Sequence, residues 1–480
     1  MTSPQRQPGL LLSLIPLLFL IGLLALNIYL FKDGATAGPN QLALAAAAAL
    51  AAIIGLTVLK IDYKQMEEKM IQAIGLSLQA VLILLVVGML IGFWILSGVV
   101  PSMIYYGIQI VNPAWFLPVT TLICCLVSIA TGSSWSTGGT VGIALMGIGE
   151  AIGMPKEMVA GAVISGAYFG DKLSPLSDTT NLAPAMAGTD LFTHVRYMLY
   201  TTIPSIIISL ILFTIVGFNY SAGALDTAQI TILTDALDKN FWISPLSFLL
   251  PALVIFLVAK KVSALPALFL GAIAGALLAF VTQQDLFARL TGESFTLLGA
   301  WKKTIEIGYG GFKIETGVAT IDSLLSRGGM ASMLNTVWLI LMAMTFGGIM
   351  EMTGMLGRIA EAILKMVRGT ASLITATIAS CITINVTAAD QYLAIVVPGR
   401  MFRGAYQKAG LAPENLSRTL EDAGTLTSVL VPWNTCGAYF AGVLGVSTFA
   451  YAPWAFFNLL NPIVAIVIAN LGWKIRKLKA

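Results

Sequence analysis

Charge is what this sequence has least of. Only 10% of its 480 residues are Asp, Glu, Lys or Arg, where a soluble chain carries roughly 25% and covers its surface with them. There is one histidine, His194, and the four cysteines (Cys124, Cys125, Cys381 and Cys436) show no CxxC spacing, which excludes a disulfide framework and a Cys/His metal centre. No nucleotide-binding loop, no HExxH and no nucleophile–base pair occurs, so neither an enzyme nor a resident cofactor is expected. Lys and Arg outnumber Asp and Glu by only 27 to 23, too small an excess to suggest a nucleic-acid partner. What is present is apolar: 57% hydrophobic residues and a mean hydropathy of +0.87. The fold class that remains is an all-α polytopic membrane protein with the bilayer as its partner, since the apolar runs are far longer than the ~10-residue alternating segments of a barrel.

No charge occurs in the 80 residues between Lys69 and Glu150, nor in the 51 between Asp422 and Lys474. In hydrocarbon every backbone donor and acceptor must be satisfied internally, so such runs cross as helices. Windows of about 20 residues predict helices near 9–31, 41–59, 78–97, 114–131, 138–154, 156–170, 197–218, 242–260, 263–282, 331–353, 370–388, 390–402, 417–432 and 453–473. With a cytoplasmic N-terminus, cations including Arg6, Lys60, Lys261, Arg418 and Lys479 fall on the inner side, eighteen in all against eight outside, with Lys172 within a span. This bias satisfies the positive-inside rule and places both termini in the cytoplasm, provided that 114–154 and 370–402 are hairpins that enter and leave on one side.

The order of landmarks repeats about 257 residues on. Leu82–Gly98 resembles Leu339–Gly354, and Leu173–Asp178 (LSPLSD) is echoed by Leu430–Thr435 (LVPWNT). The expected organisation is two inverted-topology repeats, 1–218 and 242–480, joined by an acid-rich outer linker at 219–241 that contains Asp226. Each repeat has a re-entrant hairpin and a broken transmembrane helix, at about 156–188 and 417–440. Helices broken near the midplane of inverted repeats are the usual architecture of secondary transporters.

Carboxylates within apolar context are functional candidates, because a charge at the bilayer centre costs at least ~2.5–3.5 kcal/mol. The richest stretch is Gly166–Pro184, where Gly170, Pro175 and Pro184 oppose a continuous helix. A break there frees carbonyl oxygens for a hard cation such as Na⁺, alongside Asp171, Ser174, Ser177, Asp178, Thr179, Thr180 and Asn181. Asp178 is the first candidate for cation and proton binding and Asp171 the second, since Lys172 offers Asp171 a structural partner. The competing reading is a neutralised Asp171–Lys172 kink. The first hairpin tip supplies Ser133, Ser134 and Thr137, and Na⁺ is expected at Asp178, Ser134 and Asn181. A second cluster gathers Asn385, Thr387 and Asp390 with Asp422, Thr425, Thr427 and Asn434, and Thr435 stands where Asp178 stands in the first half. Glu351 reads as a proton carrier or an interhelical hydrogen bonder, Glu150 and Glu421 as charges at helix ends, and His194 as a loop histidine.

The segment TGSSWSTGGTVGIALMGIGEAIGM, from Thr131, and the later GDKLSPLSDTTNLA core, from Gly170, closely resemble the NhaC family of sodium/proton antiporters, within the ion-transporter superfamily. The resemblance runs over nearly the whole chain. It implies a homodimer in which hairpin tips and unwound helices build paired sites, and exchange of cytoplasmic Na⁺ for external H⁺ across a prokaryotic inner membrane. The alternative it leaves open is a Na⁺- and H⁺-coupled exchanger of small carboxylates, of the malate/lactate type.

Overall fold

The computed structural model describes residues 8–110, 112–220 and 227–478; Arg6, Asp226 and Lys479 lie outside the described residues. Among the described residues, eight helices are long and apolar enough to cross a membrane, or ten if each of two bent pairs counts as one span. Many carry exposed apolar side chains, such as Leu11, Leu126 and Val281, as expected of helices whose outer face meets lipid.

Residues 113–151 form a hairpin. Its first limb, Pro113–Thr131, starts at Asn112, whose side chain accepts from the Ala114 amide, and stops at Gly132 in the left-handed region (φ 67). A Cβ at Gly132 would stand 2.5 Å from that of Leu176, so the tip is glycine both for its backbone and for its closeness to the neighbouring break. The return limb starts at Ser134 and passes a π-helical turn at Gly138–Gly142 before Ile143–Ala151. The free ends meet, since a Cβ on Gly149 would lie 2.7 Å from the Phe116 ring. The chain therefore enters and leaves at one end. A second hairpin joins Thr370–Thr387 to Gln391–Lys408. Its two limbs are tied by Thr377 Oγ1 and Tyr406 OH at 3.2 Å, and its tip contains Ala389 at φ 57.

Two helices are interrupted. Lys156–Leu173 stops short of Asp178–Ala187, and Pro413–Leu420, with a π-helical turn at Glu421–Thr425, stops short of Thr435–Leu444. Each hairpin tip rests on a break: Gly132 against Leu176, and Ala389, whose carbonyl accepts from Thr435 N at 2.9 Å. The halves also cross. Tyr439 stacks on Trp135 of the first tip with centroids 4.1 Å apart, and Asp178–Ala187 packs on Gln391–Lys408 of the second hairpin.

Several helices escaped the sequence reading. Val99–Ile110, Gln284–Thr291, Leu297–Gly310, Ala319–Leu325 and Met355–Leu364 are shorter than an apolar window for a span. Thr227–Asn240 is a helix within the stretch expected to be a linker. The helix Leu191–Tyr220 begins six residues before the expected 197, which corrects the placement of His194: it is buried, with Nδ1 2.8 Å from Ser417 Oγ.

The first hairpin limb and Lys156–Leu173 touch backbone to backbone. A Cβ at Gly166 would stand 2.2 Å from the Thr121 carbonyl oxygen, and one at Gly170 2.5 Å from the Ile129 nitrogen. Ser128 Oγ donates to the Ala167 carbonyl at 2.5 Å. Small residues allow such approach in lipid, where no hydrophobic force pulls helices together. Gly170→Ala is expected to cost about 1–3 kcal/mol through overpacking, read as a lower unfolding temperature in detergent. Gly22→Ala, whose new Cβ meets nothing within 4 Å, is expected to leave it unchanged; equal behaviour of the two variants contradicts this packing.

Candidate functional site

A cavity of about 440 Å³ lies where both hairpin tips converge on the first broken helix. Its wall includes Thr131–Ser136 of the first tip, Asp171 and Pro175–Thr179 of the broken helix, Asp390–Tyr392 of the second tip, and Thr435. The helix Tyr63–Leu96 adds Ser77 and Gln79, and the turn after Leu249–Ala259 adds Lys261. Three carboxylates, Asp171, Asp178 and Asp390, thus share one cavity rather than two separate clusters.

Each is held differently. Asp171 is buried, and its Oδ2 accepts from Ser134 Oγ at 2.6 Å, tying the broken helix to the hairpin tip. Asp178 is the first residue of its half-helix and is exposed, where the amide ends of the helix favour negative charge. Tyr392 OH lies 3.5 Å from its Oδ2. Asp390 caps the return limb of the second hairpin, its Oδ1 accepting from Leu393 N at 3.0 Å. Ser133, Ser134, Ser177, Thr179 and Thr435 face the same space.

Other expectations are corrected. Asn181 does not line the cavity: its amide donates to the carbonyls of Pro175 (2.9 Å) and Ser177 (2.7 Å). Thr180 Oγ1 likewise donates to the carbonyls of Asp171 and Lys172 at 3.1 and 3.0 Å. The carbonyls freed by the break are thus taken up by side chains in the first turn of the half-helix beyond it, and the trio Asp178, Ser134 and Asn181 is not assembled. Ser174 donates to the Ile129 carbonyl, Thr137 to that of Ser133, and Thr387 to that of Thr383. Asn385 donates to the Gly424 carbonyl (2.8 Å) and Thr427 Oγ1 (2.9 Å) and accepts from Asn434 (3.0 Å), a closed web that braces the second break. Glu351 is exposed, one residue from the end of Leu334–Met352; its apolar neighbours in sequence disguised a helix terminus.

The largest departure concerns Lys172. Its ammonium bonds Asp422 rather than Asp171, with both side chains fully buried. Asp422 also accepts from Asn461 Nδ2 at 2.7 Å and Thr201 Oγ1 at 2.9 Å. Arg418, counted above as a loop cation, is fully buried, with Nε 3.7 Å from Asp422 and its guanidinium over the Tyr197 ring at 4.6 Å. Glu421, read as a charge at a helix end, is fully buried beside them. Asp422 therefore does not line the cavity; it joins one half of the chain to the other. Sequence reasoning also missed Ser77, Gln79, Gln391 and Tyr392. The alternation of Ser77 and Gln79 inside an uncharged apolar run was the available signal.

Breaking one side of a buried pair leaves an uncompensated charge at a cost of about 3–5 kcal/mol, while replacing both partners with apolar groups is often neutral. Lys172→Met and Asp422→Leu are each expected to lower detergent stability sharply, and the double variant to recover part of the loss. Additive losses in thermal unfolding contradict the pairing.

A profile of the Na⁺/H⁺ antiporter family matches residues 166–473. The Na⁺/H⁺ antiporter NhaC of Alkalihalophilus pseudofirmus is 40% identical over 423 residues, 88% of each chain. The malate-2H⁺/Na⁺-lactate antiporter of Bacillus subtilis is also 40% identical, over 435 residues and 90% of each chain. The NhaC antiporter of Bacillus subtilis is 36% identical over 408 residues, 85% of this chain and 87% of that one. With a matched profile over more than half its length, and relatives that run nearly end to end with it, this multi-pass membrane protein belongs to the Na⁺/H⁺ antiporter family.

Proposed function

We propose that this chain exchanges cytoplasmic Na⁺ for external H⁺ by alternating access, with Asp171, Asp178 and Asp390 as the groups that bind either ion. The observation that carries this reading is the convergence of three carboxylates and a ring of hydroxyls on one cavity at the meeting of two hairpin tips and a broken helix. Unloaded, the three charges repel one another within a protein interior; a bound Na⁺ or proton relieves that cost. Loaded forms can then change their access while the empty charged form cannot, which is what couples one ion to the other.

Lys261, an exposed residue, lines the cavity. The cation bias assigns the Lys260–Lys261 turn to the cytoplasm, so this conformation is open inward. A second cavity of about 450 Å³, lined by Lys156, Glu157 and Pro432, belongs in this scheme to the outer face. Beside it Glu150 holds Lys156 at 2.7 Å and Arg327 at 3.8 Å. The Trp135–Tyr439 stack, locked by Tyr439 OH donating to the Trp135 carbonyl at 2.7 Å, is the barrier between the two. The tip-on-break contacts made in each half support two inverted repeats, 1–218 and 242–480, that rock against each other. Assembly as a homodimer in a prokaryotic inner membrane, with both termini cytoplasmic, completes the proposal.

One observation favours a second reading, coupled exchange of a small carboxylate. The cavity is much larger than a dehydrated Na⁺, and Ser133, Ser136 and Gln391 on its wall can donate to an anion. Proteoliposomes with an imposed Na⁺ gradient and an internal pH dye separate the two. Proton movement driven by Na⁺ alone is expected, and Asp178→Asn is expected to abolish it. Movement that appears only with malate or lactate present transfers the proposal to the second reading.

A further inference from the structure

Behind the cavity wall stands a carboxylate that the exchange scheme above does not use. Glu421 is fully buried, and neither of its oxygens has a hydrogen-bond partner among the described residues. It opens the π-helical turn Glu421–Thr425, and wide turns of this kind recur at functional sites. The groups that act on it come from three directions: Asp171 and Lys172 from one half of the first broken helix, Thr179 from the other half, and Thr425 from its own turn. Cys381, on the first limb of the second hairpin, faces it as well. Arg418 and Asp422 are its neighbours along the helix. Asn461 of Phe456–Asn470 is committed to Asp422, and Tyr406 of the second hairpin to Thr377, with Arg418 as the charge that acts on it. Thr179 and Asp171 both act on Glu421 and both line the cavity, so Glu421 lies directly behind the wall of the exchange site.

Within the buried cluster of Lys172, Arg418 and Asp422 the charges do not balance without Glu421, since Asp171 is turned to Ser134 at the cavity. Lys172 and Arg418 are two cations, and Asp422 alone is bonded to one of them. None of the three guanidinium nitrogens of Arg418 has a hydrogen-bond partner among the described residues. An ionised Glu421 cancels the surplus charge but has only the hydroxyls of Thr179 and Thr425 beside it, neither closed into a hydrogen bond with it; a protonated Glu421 removes that cost and leaves one cation uncompensated. Each cost amounts to several kcal/mol in a dry interior. Two opposing terms of the same order are the condition under which a buried group changes protonation within a working cycle.

We propose that Glu421 is a second proton-binding site, separate from the cavity carboxylates and exchanging its proton with the cavity past Thr179. On release the O–H bond breaks, the electron pair stays on the Glu421 carboxylate, and the proton passes to an acceptor in the cavity, Asp171 or solvent. Its place in the transport cycle rests on the antiport reading; its titration does not.

The test is infrared difference spectroscopy of the purified full chain across a pH jump. The wild type is expected to show a carboxylic C=O band that Glu421→Gln lacks, and Glu421→Asp, which keeps the charge, to retain the band with a displaced midpoint. A spectrum unchanged in Glu421→Gln overturns the proposal, as does an undisplaced midpoint in Glu421→Asp should the amide variant fail to fold. In proteoliposomes, Glu421→Gln is expected to flatten the pH profile of Na⁺-driven proton flux while Na⁺ affinity is kept. Absence of any such flux in the wild type defeats the antiport reading alone, and the infrared result then decides for Glu421.

Discussion

Asp171 and Lys172 are neighbours in the chain and serve different charges. One turns into the cavity and accepts from Ser134 at the first hairpin tip; the other turns away and bonds Asp422 in the second half of the chain. Successive residues of a helix point about 100° apart, and both lie in the last turn before the helix ends at Leu173. Ionised groups are tolerated in hydrocarbon only when paired or facing a polar cavity, and here the two solutions sit side by side. Displacement of one residue is therefore felt by the other, and a change of charge in the cavity has a short covalent route into the network that joins the halves.

The arrangement also explains why the break is so polar. Interrupting a helix in a membrane exposes carbonyls and amides that cost several kcal/mol each if left unpaired. Thr180 and Asn181 supply the missing donors, so Asp171 and Asp178 are not needed for that duty. At the second break the same duty falls to Asn385 and Asn434. Its polar residues are consumed by bracing, and Thr435 is what the second break brings to the cavity wall, beside Asp390, Gln391 and Tyr392 of the second tip.

Much of this was readable from residue order. Long uncharged runs gave the spans, and Gly170, Pro175 and the polar run to Asn181 marked the first break to within a few residues. Ser133, Ser134, Asp171, Ser177, Asp178, Thr179, Asp390 and Thr435, all candidates from the sequence, do line the cavity. What sequence could not supply was partnership. Lys172 adjoins Asp171 but pairs 250 positions away, and Arg418 and Glu421 look like interfacial charges because their own segment is polar, although both are fully buried. Asp422 was grouped with the second tip by symmetry, yet its contacts run to the first half. Glu351 shows the opposite error: apolar neighbours concealed a helix end.

If the cavity carboxylates bind Na⁺ and H⁺ in turn, Na⁺ must expel protons from the protein even without a membrane. The most direct measurement is proton release when Na⁺ is added to the purified protein in weakly buffered detergent solution. The account predicts saturable release that is lost when Asp171 and Asp178 are replaced by Asn together. Saturable Na⁺ binding with no proton release would contradict it, because the two ions would then occupy separate groups.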